Sequence, residues 1–290
     1  MMNETDLAAI PIVASIAPLA TSTDAWLVDI WGVMHNGVRP FESAVAACEE
    51  FRARGGSVLL LSNAPRPAAS VATQLDRIGV RATAWDEIVT SGDAARAMIS
   101  AHAGEALYHL GPERDLPIYD GLGVTLTEPA QAAAVVCTGL FDDETETPDD
   151  YAAILTDLHA RGLAMICANP DLKVERGGRI VWCAGGVAAA YQALGGKVTY
   201  AGKPHLPVYA LATARIAALR GAPVPQDRIL AIGDGVKTDI AGAARAGIRS
   251  VFVASAIHVD PRNGLDASAV SALFDELPSR PVAAMTSLAW

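Results

Sequence analysis

A chain of 290 residues, 51% hydrophobic and 19% charged, is long enough to bury one large or two medium cores. Its net charge of −10 provides no general attraction for nucleic acid or an anionic membrane, so an anionic ligand must be met by local cations, backbone N–H groups or a metal. No stretch reaches the roughly 18 uninterrupted apolar residues of a membrane helix, and Met1–Ala20 lacks the basic start and apolar run of a secretory leader. The expectation is a soluble, cytoplasmic protein. Cys48, Cys137, Cys167 and Cys183 form no C-x-x-C pair, so they read as small buried residues rather than as zinc or redox ligands.

In chain order, Ala25–Ile30 is a buried-strand run. Glu42–Arg54 has helical spacing and stops at Gly55-Gly56, and Ser57–Ser62 is a second apolar strand. Pro67–Ile78 is a helix opened by proline and ended by Gly79. Strands follow at Glu105–Leu110 and Ala132–Gly139, a helix at Pro148–Arg161, a strand at Leu163–Asn169 and a small-residue helix at Cys183–Leu194. The acidic run Asp142–Glu146 reads as a solvated loop. Arg228–Asp234 is a strand, Thr238–Ala246 a helix ended by Gly247, and Arg249–Ala254 a strand. Continuous apolar strands alternating with helices predict a doubly wound parallel sheet in an α/β fold, with both chain ends joining into one sheet around a separate middle α/β layer.

Several of these strands end in residues that carry chemistry. Asp29 leaves an apolar strand ahead of "IWGVMHNG", where ligands of open parallel sheets bind, although capping of the turn explains such an Asp equally well. In "AIGDGVKTD", Asp234 ends another strand between Gly233 and Gly235, and Asp239 opens the next helix. Two such carboxylates joined by Asp29 make a hard oxygen site suited to Mg2+. Lys203, in "YAGKPH", is a point cation after a short strand, and Ser62-Asn63 offers a hydroxyl and N–H groups at the end of "VLLLSN".

In this order, Asp29, Ser62, Lys203 and Asp234/Asp239 match the four motifs of the haloacid dehalogenase superfamily, which the chain resembles from about Thr23 onward. The interval between Ser62 and Lys203, with "ANPD" and "GKP", resembles its class IIA, the nitrophenyl-phosphatase and sugar- or nucleotide-phosphatase group. The resemblance implies a Rossmann-like hydrolase core of residues 1–81 and 198–290 with an inserted cap of residues 82–197. It implies an Asp29 nucleophile that forms an aspartyl-phosphate, with Ser62 and Lys203 as its catalytic companions. Magnesium would be held by Asp29, the Trp31 carbonyl, Asp234 and Asp239, and phosphoryl oxygens by Ser62, the Asn63 backbone and Lys203. The expected ligand is a small phosphate ester.

Phosphatases of this family carry a second Asp two residues after the nucleophile, as acid and base; here that residue is Trp31, a donor that cannot exchange a proton near neutral pH. Three readings stay open: a phosphatase that is slow or uses another acid such as His35, a non-catalytic phospholigand sensor, or a carbon–halogen hydrolase. His35 itself reads first as a surface loop residue. Arg66, Asn169 and Asp171 are candidate substrate contacts, while Glu175, Arg176 and Arg179 form a polar hairpin. The helix Pro148–Arg161 and the stretch Ala184–Ala190 are candidates for a cap-mediated homodimer or for close packing within the chain.

Overall fold

The computed structural model describes residues 9–176, 179–254, 265–275, 277 and 280–290, and for Glu175 and Arg176 the backbone alone. The first eight residues of the leader assessment, the tip of the polar hairpin and those two side chains lie outside the described set. The chain begins with helix α1 (Ala17–Ala20), strand β1 (Ala25–Asp29), α2 (Glu42–Ala53), β2 (Ser57–Ser62), α3 (Ala68–Ile78), β3 (Glu87–Thr90) and α4 (Ser91–Ile99). There follow β4 (Ala106–Leu110), β5 (Thr125–Leu126), β6 (Ala134–Cys137), α5 (Ala152–Ala160), β7 (Ala164–Cys167), the pair β8 (Lys173–Arg176) and β9 (Arg179–Trp182), and α6 (Ala184–Ala193). The last elements are β10 (Val198–Tyr200), α7 (Leu206–Arg220), β11 (Ile229–Gly233), α8 (Ala241–Arg245), β12 (Arg249–Val253), α9 (Ala267–Ala272) and β13 (Ala283–Met285).

These elements fall into two compact units, Met1–Leu59 with Val80–Asp86 and Ile216–Trp290, and Leu60–Gly79 with Glu87–Arg215. The first unit holds the parallel run β13-β12-β11-β1. The two chain ends thus share one sheet, as the alternating pattern predicts. β11 and β1 up to Val28 are apolar because both faces are covered: every residue of β1 and β11 is buried. Trp26 on β1 stacks on Phe51 of α2 at 3.9 Å and satisfies its indole N–H on Thr23.

The second unit has its own sheet, ordered β10-β7-β6-β4-β5 with every pair parallel, beside the antiparallel pair β8-β9. One core lies against it, built from Leu110, Val135, Leu155, Leu158, Val187 and Tyr191 among others. Gly185 and Gly186 of α6 are buried, and a Cβ on Gly185 would sit 2.2 Å from the Pro170 carbonyl oxygen. Ala184–Ala188 of the small-residue stretch are therefore used for close approach inside the unit, while Ala189 is exposed. The four cysteines are free and buried, and burial pushes the Cys48 and Cys137 thiols up to about 12, as expected of inert side chains.

Two predicted helices begin differently. Pro148–Tyr151 is a 3₁₀ turn ahead of α5, closed by a reciprocal cap between Thr147 and Asp150. Val236–Ile240 is a π turn ahead of α8, in which the Ile240 N–H reaches the Gly235 carbonyl at 3.0 Å. Asp143, within the run expected to be solvated, is instead buried against Arg114, because that ion pair offsets its desolvation. Among the described residues, no helix is long and apolar enough to cross a membrane.

Candidate active site

Parallel pairing decides where the acidic residues of the first unit go. Val28 on β1 is in register with Ile232 on β11, so Asp29 and Asp234 leave adjacent strands at the same sheet edge. Carboxylate oxygens of Asp29, Asp234 and Asp239 all lie within 4.8 Å of one another. Asp29 and Asp239 are buried, at 7% and 6% exposure. Asp239 accepts from the Gly235 N–H at 3.1 Å and from the Thr238 hydroxyl, which draws the chain into the π turn and aims the carboxylate back toward the strand tip.

Glycines make this approach possible. A Cβ on Gly32, whose φ is +79°, would fall 2.0 Å from Asp234 Oδ2, and one on Gly233 would fall 2.3 Å from Asp239 Cγ. The sequence signal for Gly32, its place three residues after Asp29, goes unused without the fold. Three like charges this close are mutually repulsive, and a hard divalent cation relieves that repulsion with the oxygen donors that Mg2+ prefers. The donor set therefore fits magnesium.

The turn after β1 is held by backbone bonds: Gly32 N–H to the His35 carbonyl at 3.0 Å, Met34 N–H to the Ile30 carbonyl at 2.9 Å, and Phe41 N–H to the Met34 carbonyl at 2.9 Å. Trp31 is 40% exposed and lies across Gly37, its ring meeting His35 edge-on at 4.9 Å. His35 is a correction to the surface-loop reading, since it is 1% exposed. The Trp31 ring and the turn's own backbone enclose it. The His35 Nδ1 accepts from the Gly37 N–H at 2.9 Å, so a neutral ring carries its proton on Nε2.

Burial lowers the His35 pKa from 6.5 to about 4. A base whose folded pKa is depressed stabilises the fold fully above its unfolded pKa, and that stability is lost as pH falls from 6.5 toward about 4, where only the unfolded chain takes up the proton. The metal-free protein is expected to lose on the order of 2 kcal/mol across this window from His35 alone. Urea midpoints at pH 7.5 and pH 5 measure it. His35→Gln should flatten the difference, and an unchanged pH response in that variant would refute the assignment.

A second constellation stands in the other unit, at the end of β2. Ser62 and Asn63 are buried, and the Ser62 hydroxyl accepts from the Ala64 N–H at 3.1 Å. The Asn63 amide is a bracket: its Oδ1 accepts from the Lys203 N–H at 2.7 Å, and its Nδ2 donates to the Lys203 carbonyl at 3.0 Å and to Asp171 Oδ1 at 2.8 Å. Lys203 is 3% exposed, with its ammonium 3.3 Å from the Leu61 carbonyl oxygen. Asn169 Oδ1 accepts from the Asp171 N–H at 3.0 Å. Asn169 and Asp171 are thus engaged in holding Asn63 and Lys203. Gly202 permits the bracket, since a Cβ there would meet Asn63 Oδ1 at 2.4 Å. This side-chain role of Asn63 is absent from the sequence reading, which assigns only its backbone. Arg66 donates to Gln74 Oε1 at 2.8 Å, and its charge also bears on Asp115.

A haloacid dehalogenase-like hydrolase family model matches residues 26–125, and an HAD-hydrolase-like model matches residues 200–277. The solved structure of a haloacid dehalogenase-like hydrolase from Brucella suis 1330 is 43% identical, with a TM-score of 0.84, covering 96% of this chain and 100% of that one. The chain belongs to the haloacid dehalogenase-like hydrolase family.

This haloacid dehalogenase-like hydrolase is also 28% identical over 257 residues to the D-glycerol 3-phosphate phosphatase of Mycobacterium tuberculosis, a match covering 83% of the chain and 65% of the relative, just under two-thirds of its length. The 4-nitrophenylphosphatase of Thermotoga maritima shares the fold at a TM-score of 0.72 and 20% identity, over 93% of this chain and 96% of that one.

Proposed function

We propose that the protein is a magnesium-dependent phosphatase of a small phosphorylated metabolite, working through an aspartyl-phosphate on Asp29. The observation that carries this reading is the convergence of Asp29, Asp234 and Asp239 within 4.8 Å at the tips of adjacent parallel strands. The names of the Mycobacterium tuberculosis and Thermotoga maritima relatives point to phosphate esters as the substrate class. In this reading residues 1–81 and 198–290 serve as the hydrolase core and residues 82–197 as its cap.

Asp29 attacks phosphorus as the bond to the leaving oxygen breaks, and water then cleaves the acyl phosphate to restore the carboxylate and release inorganic phosphate. Ser62, the Asn63 backbone and Lys203 bind phosphoryl oxygens, and the Asn63 side chain keeps Lys203 in place. Asn169 and Asp171 support that bracket. The carboxylates of Asp29, Asp234 and Asp239 and the Trp31 carbonyl would hold Mg2+, whose chemistry is to neutralise phosphoryl charge and offset their mutual repulsion. Trp31 supplies no proton, so the leaving oxygen takes one from solvent, which favours esters of acidic alcohols and phenols.

The test is phosphate release across a panel of small phosphate esters with magnesium and with EDTA. Release from nitrophenyl phosphate is expected with magnesium and is expected to stop with EDTA. Absence of release from every ester would refute the reading, and halide release from 2-haloacids without metal would replace it.

A further inference from the structure

The five-stranded sheet of the second unit has two distinct ends. Asn169, Asp171 and Lys203 follow β7 and β10, at one end of the strand order. At the other end, where β4 and β5 stop, lies a separate cleft of about 600 Å³, lined by Tyr108, His109, Leu126, Thr127, Glu128 and Phe141. Small-molecule sites have volumes of this order. Leu126 pairs with Leu107, and the Thr127 N–H bonds the Leu107 carbonyl at 2.9 Å, which sets Thr127 and Glu128 beside Tyr108. Phe141 arrives from the loop after β6, the neighbour of β4 on its other side. Its ring stacks on Tyr151 at 5.6 Å, yet Phe141 is 47% exposed and Leu126 45%. The cleft therefore has apolar walls that the unit itself leaves uncovered.

Its polar groups share one sign. Tyr108 is 9% exposed with its ring in the unit's core, and its hydroxyl makes no hydrogen bond among the described residues. Burial and the charge of Glu128 push the Tyr108 pKa up, so the hydroxyl stays protonated beside that carboxylate. The exposed Glu128 carboxylate has no hydrogen bond or ion pair among the described residues. No lysine or arginine lines the cleft. His109 supplies no charge either: burial lowers its pKa, and its Nδ1 meets the Tyr119 hydroxyl at 2.8 Å while its Nε2 faces the Pro112 carbonyl oxygen at 3.4 Å. An anion would find no counter-charge here. A cation would find a carboxylate, an accepting hydroxyl oxygen and the exposed ring of Phe141.

We infer that this cleft binds a small organic cation, an ammonium or guanidinium carried on a flat apolar body. The site stands apart from the phosphatase reading, because no phosphate ester enters its test. An NMR titration of the full-length chain with saturating magnesium compares tryptamine with its neutral isostere tryptophol and with the anion indole-3-propionate. Tryptamine is expected to bind about 10–100-fold more tightly than tryptophol. Glu128→Gln should erase most of that preference, and Tyr108→Phe and Phe141→Leu should each weaken tryptamine by about 3–10-fold. Glu128 is exposed and Tyr108→Phe keeps the core ring, so neither change threatens the fold. No saturable tryptamine binding, equal affinity for tryptophol, tighter binding of indole-3-propionate, or a preference that Glu128→Gln leaves intact would overturn the inference.

Discussion

Asp29→Asn is expected to lower phosphate release from nitrophenyl phosphate by at least about 10³-fold, because it removes the only group placed to form the covalent intermediate in the proposed mechanism. The amide has the shape of the carboxylate, so loss of activity should not reflect loss of fold. A second readout separates the two. Asp29, Asp234 and Asp239 lie within 4.8 Å of one another, and removing one of three neighbouring negative charges relieves repulsion worth about 1–3 kcal/mol at protein-surface dielectric. Without metal, the variant should therefore melt at or above the temperature of the parent. With saturating magnesium, the parent should gain more than the variant, since a ligand stabilises in proportion to its affinity for the folded state. Activity that persists in Asp29→Asn would remove the nucleophile assignment. A variant less stable than the parent without metal would show that the three carboxylates are not mutually repelling.

Trp31→Asp should have the opposite sign. A carboxyl two residues beyond the nucleophile restores a group that can protonate the leaving oxygen and then activate water, help worth about 10²–10⁴-fold. The gain should be confined to poor leaving groups: about 10²-fold in kcat/KM for alkyl phosphates, with nitrophenyl phosphate changed little because its leaving group needs no proton. The structure favours the substitution. Trp31 is 40% exposed, so its loss opens no core cavity. The bonds that hold the turn, Gly32 to His35, Met34 to Ile30 and Phe41 to Met34, are all backbone to backbone. His35 loses its edge contact with the indole but keeps the bond from Gly37. If Trp31→Asp keeps full activity on nitrophenyl phosphate and gains nothing on alkyl phosphates, proton supply is not what limits this enzyme.

Much of the core was legible from the chain because burial on both faces of a parallel sheet leaves a local signature. Ala25–Ile30, Ser57–Ser62 and Arg228–Asp234 are continuous apolar runs, and their strands stop within a residue of the predicted ends. Other elements left weaker marks. Helix α7 is nearly apolar around its circumference, so "LPVYALATARIAALR" shows no clear amphipathic stripe. Strand β13 is three residues long. The π turn at Val236–Ile240 follows from the Asp239 carboxylate bonding back to Gly235, a competition that hydrophobic spacing does not record.

By itself the sequence determined the α/β class, the order of the reactive residues along the chain, and the departure at Trp31, since these are written in composition and neighbouring spacing. The tertiary structure alone decided that Asn63 brackets Lys203 and meets Asp171, residues 140 and 108 positions away, and that His35 is buried. Those pairings depend on parallel register and on which strands become neighbours. Crossover connections set both, and residues adjacent in sequence carry no record of which distant partner will arrive beside them.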